Sequence, residues 1–266
     1  MNLVSFEIKS ALRSSIIWVV SLVALFALLM LSVYPLYSDA VDEVTAIMDN
    51  FPPEFAAIFG MHLADIFSYG GFYNFAFLYL ALVAAIMASA LSMAVFAREK
   101  RSKSLDFLLT KPVSRQGIFM KKLLSCFIII SATNVIYVLF GVFMYWAGGE
   151  NFYSMGTYIL ALLGLYFTQI VFMAFGIAYA TFARKVRSVS GAATALGFGA
   201  FILSAITNLM EDKNLDFLAP LKYFQPMEVF DHGTYKVILI LTSVVVVIAC
   251  IGASYAKFSK SDIPAV

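Results

Sequence analysis

Charged residues are scarce in this sequence: Asp, Glu, Lys and Arg make up 13% of 266 residues, against about 25% in an average soluble chain. Hydrophobic residues reach 62%, where about 45–50% is usual, and no soluble fold of this size hides that much apolar surface. With only 7 Pro and 15 Gly the chain is neither collagenous nor low-complexity and disordered. The two cysteines, Cys126 and Cys250, fall in separate apolar runs, which offers no disulfide framework and no zinc motif. What these absences leave is a polytopic membrane protein.

Six runs are long enough to cross a hydrocarbon core of roughly 30 Å at about 1.5 Å per residue. They cover residues 16–37, 72–96, 123–146, 157–182, 189–209 and 236–256. Backbone polar groups inside a bilayer must be satisfied within the segment, and period-two alternation is missing, so the runs read as helices and not as a barrel. The expected fold is all-α with six transmembrane helices in a single transmembrane domain, residues 1–266. Apart from Lys236, at a span boundary, no Asp, Glu, Lys, Arg or His falls inside these six runs.

Lys and Arg set the orientation. Fifteen of the 18 lie in the N-terminal tail, in residues 98–122, in the turn after span 4 or in the C-terminal tail. Twelve of the 16 acids fall on the other side. Both termini are therefore expected in the cytoplasm, with the protein multi-pass in the cell (plasma) membrane. The apolar run of span 1 is too long for a cleaved signal peptide, and no small-x-small site follows it. Ahead of it, Leu3, Phe6, Ile8, Ala11 and Leu12 interleave with Glu7, Lys9 and Arg13, the pattern of a short amphipathic helix at the membrane interface.

Missing chemistry narrows function further. An ion-coupled carrier usually needs an ionisable group at membrane depth, and interrupted helices repeated between the halves are not evident. There is no Arg-rich sensor span, no Thr-Val-Gly-Tyr-Gly filter and no intramembrane catalytic dyad, so no catalytic residue is assigned. His62 with Asp65, and Asp231 with His232, give two ligands each where a metal site needs three or four, so no metal is expected. No Gly-x-x-x-x-Gly-Lys-Ser/Thr loop is present, and ATP hydrolysis would have to occur in another chain. No nucleic acid is expected as a partner.

The most informative segment is the basic loop of residues 98–122. Ser104 can cap a short helix, with Asp106 in its first turn. Leu105, Leu108 and Leu109 share one face at i, i+3 and i+4, with Phe107 at its flank. Pro112 ends the helix, and Ser114 can cap the next one, which runs through Lys121 and Lys122 into span 3. Such a face either dips into the interface or docks into a groove on a cytoplasmic partner.

This loop resembles the cytoplasmic signature of type-2 permeases of ATP-binding-cassette exporters. There an acid is followed by Gly-Thr-Leu, two leucines and Pro-Val-Ser-Arg; here these are Glu99, then Ser104 and Leu105, Leu108 and Leu109, and Pro112-Val113-Ser114-Arg115. Lys103 and Ser104 stand where the family usually has Gly and Thr. The basic amphipathic start, Phe51-Pro52-Pro53 in a long first external loop, and Leu221-Lys222-Tyr223-Phe224-Gln225-Pro226 extend the likeness along most of the chain. The resemblance implies a coupling helix around 105–110 seated in a cytoplasmic ATPase subunit. It also implies two such ATPases, which hold ATP and Mg while this chain binds no cofactor, and a second permease chain, identical or homologous.

Gly191, Ala195 and Gly199 recur at four-residue spacing on span 5, a face that lets another helix approach closely within the chain or between subunits. The resemblance favours a dimer seam. On span 2, Ala81, Ala85 and Ser89, and Ala84, Ala88 and Ser92, read as packing within the chain. The external loop, residues 38–71, reads as short helices covering the bundle. A membrane-anchored scaffold or immunity protein that transports nothing is the competing reading.

Overall fold

The computed structural model describes residues 3–48, 52, 66–98, 114–147, 153–210 and 213–260. Among the described residues the regular elements are all helical, and six stretches are long and apolar enough to cross a membrane. The first consists of α1 (Leu3–Ala27), a π-helical stretch (Leu28–Val33) and α2 (Tyr34–Asp39). Pro35 explains the π stretch: it has no N–H for the carbonyl one turn back, and its ring would press on that carbonyl, so the turns before it widen. A short α3 (Val41–Met48) follows. The remaining spans are α4 (Tyr69–Phe96), α5 (Arg115–Ala147), α6 (Met155–Phe182), α7 (Val189–Leu209) and α9 (Val237–Lys260), with the short α8 (Pro226–His232) before the last.

Serine starts four of these helices. Ser68, Ser114, Ser154 and Ser188 each accept a hydrogen bond from the backbone N–H three residues on, at 3.0–3.2 Å. Each satisfies a donor that the first helical turn leaves open. The amphipathic segment expected ahead of span 1 is helical, but it runs into the span without a break. Glu7, Lys9 and Arg13 therefore stand on a spanning helix, as do Lys121 and Lys122. A helix such as Leu3–Ser38, 36 residues long, measures about 54 Å at 1.5 Å per residue, so its end projects well beyond a core of roughly 30 Å.

Spans α4 and α6 form the centre. In the most apolar stretch of each, 61% of residues are buried, against 17% in the first and last spans. Ala81, Ala84, Ala85, Ala88, Ser89 and Ser92 of α4 are all inaccessible, as expected of a packing face. Gly176 of α6 lies so close to this face that a methyl group there would collide with Ser92 Oγ and stand 2.7 Å from the Ser89 carbonyl oxygen. Polar groups in the core meet one another. The hydroxyls of Tyr73 and Tyr137 lie 2.9 Å apart, those of Tyr69 and Tyr158 2.8 Å apart, and Asn134 donates to Gln169. Phe26 of α1 packs between the rings of Tyr73 and Tyr137, with centroids 5.7 and 5.2 Å away.

At the end opposite the chain termini, the segment between α7 and α9 folds back over the bundle. Two 3₁₀ turns (Lys213–Leu218, Pro220–Lys222) lead into α8, which ends at Gly233 with φ 74°. The Phe224 carbonyl comes so near Gly164 of α6 that a methyl there would stand 2.7 Å from it. Asn74 Oδ1 of α4 accepts from the Met227 N–H at 3.2 Å. Within this segment Lys222 donates to Asp216, and both side chains are largely buried.

Candidate functional site

The basic loop begins and ends on α4 and α5, and these two roots are held together. Phe96, the last residue of α4, meets Phe119 of α5 with ring centroids 5.1 Å apart. Phe119 also meets Tyr255 and Phe258 of α9 at 5.4 and 5.6 Å, which brings the last span to the same end. Two turns into α5, Lys122 Nζ donates to the Val95 carbonyl of α4 at 2.6 Å. The same ammonium donates to Glu7 Oε1 of α1 at 3.0 Å. Arg98, just past the end of α4, sets Nη1 3.1 Å from the other carboxylate oxygen, Oε2. Its guanidinium also lies over the Phe6 ring, 5.3 Å from the centroid.

Glu7 and Lys122 are fully buried and the Arg98 side chain is 25% exposed. A carboxylate out of water is tolerated only when paired and hydrogen-bonded, and here one root of the loop faces each of its oxygens. Among the described residues, two cations face this one carboxylate.

Of the residues singled out in the sequence, Glu99, Ser104, Leu105, Phe107, Leu108, Leu109 and Pro112 lie outside the described residues. Arg115 is the first residue of α5, half-buried, and Ser114 caps that helix as expected. Gly191, Ala195 and Gly199 all lie exposed on α7, and Gly199 has open space where a side chain would stand. The neighbouring Gly197 instead takes the packing within the chain, where a methyl would stand 2.5 Å from the Ile86 side chain of α4. Among the described residues no group of three or more His, Cys, Asp or Glu gathers as a metal site would need.

Glu7, Arg98 and Lys122 were not singled out as a cluster. The signal for Glu7 was its register: it falls one turn before Ala11 on the face that continues to Leu22 and Phe26, the four buried residues of α1. An acid on the buried face of a helix requires a cation from elsewhere.

A family model described as ABC-2 family transporter protein matches residues 1–263. The chain belongs to this family. No curated protein matches it. An ABC-2 permease is the membrane component of an ABC transporter and not its ATPase, and permeases of this family generally work with an ATPase subunit. In this ABC-2 permease the loop that carries the family-like motif springs from roots tied to each other and to the first span.

Proposed function

We propose that this chain is the permease subunit of an exporter, that two permease chains form the translocation path, and that a separate cytoplasmic ATPase drives it. The observation that carries the reading is the sequence of the basic segment between α4 and α5, with Leu105, Leu108 and Leu109 at i, i+3 and i+4, in a member of the ABC-2 family whose sequence lacks the Gly-x-x-x-x-Gly-Lys-Ser/Thr motif. Both termini and this loop face the cytoplasm of a cell membrane, following the excess of Lys and Arg there. Two ATPase subunits, holding ATP and Mg, each receive one loop. Their closure on ATP moves the roots of the loop and switches the pair of permeases from inward-open to outward-open. The exposed face of Gly191, Ala195 and Gly199 serves as a seam between the two permeases, because small residues there let helix backbones approach.

Mild-detergent purification of the tagged chain from its native cells tests this. An ATPase subunit should co-purify near one per permease and be lost in Leu108→Asp, which puts a charge on the docking face. A chain that arrives alone in several mild detergents, with nothing cross-linked to residues 98–122, would overturn the reading.

A further inference from the structure

We infer that Glu7 is a positioning residue of the transport cycle: it ties the first span to both roots of the loop, so that displacement of the loop reaches span 1 directly. The inference rests on the exporter reading above and adds a third helix to the two that carry the loop.

Three observations support it. First, the carboxylate divides its oxygens between the roots. Oε1 takes the ammonium of Lys122 on α5, and Oε2 faces the guanidinium of Arg98 beyond α4. Lys122 also grips the Val95 carbonyl, so movement of either root is felt at Glu7.

Second, the fully buried residues of α1 gather at two places, with only the half-buried Trp18 packed against the core between them. They are Glu7 and Ala11 at one end and Leu22 and Phe26 in its second half. Between them an open apolar groove of about 400 Å³ separates α1 from α5, lined by Leu12, Ile16 and Val20 on one side and Ile128, Ala132 and Ile136 on the other. A helix buried at Phe26, gripped at Glu7 and more sparsely packed between, with a groove along one side, has room to tilt. The grip lies at the end where the loop would push.

Third, the grip is ionic where packing would suffice for mere cohesion. The same end already has an apolar contact in Phe96, Phe119, Tyr255 and Phe258. A carboxylate shared between two cations can keep hold of both while they shift relative to one another, since an ion pair lacks the steep distance dependence of close packing.

The test uses the intact complex with its co-purified ATPase. Cys126 and Cys250 are changed to Ser, and spin labels are placed at Ile17 on α1 and Val245 on α9, both exposed. The distance between them is measured with and without a non-hydrolysable ATP analogue. Wild type should show a nucleotide-dependent shift. Glu7→Gln should reduce the shifted population about fivefold or more, the scale of coupling between distinct sites, while the ATPase remains bound.

A purely cohesive role is separated by the triple variant Glu7→Leu, Arg98→Leu, Lys122→Leu, because apolar replacement of a buried ion cluster often preserves stability. The inference expects the shift to be lost in this variant too. A shift retained in Glu7→Gln or in the triple variant overturns it, as does a wild-type pair that ignores nucleotide with the ATPase bound. Absence of any ATPase from the wild-type preparation overturns the exporter reading instead.

Discussion

Lys122 Nζ lies 3.0 Å from Glu7 Oε1 across 115 residues of chain, and both side chains are cut off from water. Removing Lys122 leaves Glu7 paired with Arg98 but takes the donor from its Oε1 and from the Val95 carbonyl. Lys122→Met should destabilise the protein by about 1–3 kcal/mol, the usual cost of a buried polar group left unsatisfied. Thermal unfolding in mild detergent, followed by intrinsic fluorescence, measures it. The leucine triple variant should recover most of the loss.

Gly176 makes a second prediction because it sits where α4 and α6 touch backbone to backbone. Gly176→Ala should cost about 1–3 kcal/mol by overpacking. Gly252 on α9 has nothing within 4 Å of where a side chain would stand. Gly252→Ala should therefore be neutral or stabilising by up to about 1 kcal/mol, through helix propensity. The two unfolding temperatures, compared in one detergent, decide the matter.

The exposed face of α7 separates assembly from folding. A Cβ at Gly199 meets nothing within 4 Å inside the chain, so Gly199→Leu should not lower the unfolding temperature. If this face is the seam between permeases, native mass spectrometry should show the dimer fraction falling in Gly199→Leu. An unchanged dimer fraction would place the seam elsewhere.

Tyr235, between α8 and α9, donates its hydroxyl to the Leu160 carbonyl at 2.6 Å. Burial pushes its phenol well above the usual tyrosine range, against a smaller opposing effect from the Gly164 backbone. The folded state therefore keeps a proton that the unfolded state releases near pH 10. The stability it contributes is present below about pH 10 and declines above that value. Tyr235→Phe should flatten this alkaline decline, measured as unfolding temperature against pH between 9 and 11, at about 1 kcal/mol for the lost hydrogen bond.

Much of this architecture was legible from composition and punctuation. The span at Val189–Leu209 was visible as an apolar run after the basic turn of Arg184, Lys185 and Arg187, and the structure adds its Ser188 cap. The Ser114 cap was itself plain in the sequence. The start of span 1 was not, because helix propensity does not change where Glu7, Lys9 and Arg13 give way to an apolar run; only the environment changes. The Glu7 cluster was hidden for a related reason. Charge counts assign Lys122 to a basic loop, and only a contact spanning three helices shows that it points inward while Lys121 beside it is less buried. Asn134 and Gln169 escaped notice because a neutral amide in a span carries no charge signal, though the two meet in the core.

The covering segment between α7 and α9 also implies an order of assembly. Asn74 must hold its place for the Met227 N–H, 153 residues later, which at about 5–20 residues per second of synthesis is a wait of roughly 8–30 seconds. Until then Gly164 and the ends of α4 and α6 stand bare at that surface. Docking of Phe224 against Gly164 can thus come only after α7 has been made, and a protease that cuts the undocked segment would tell docked molecules from undocked ones.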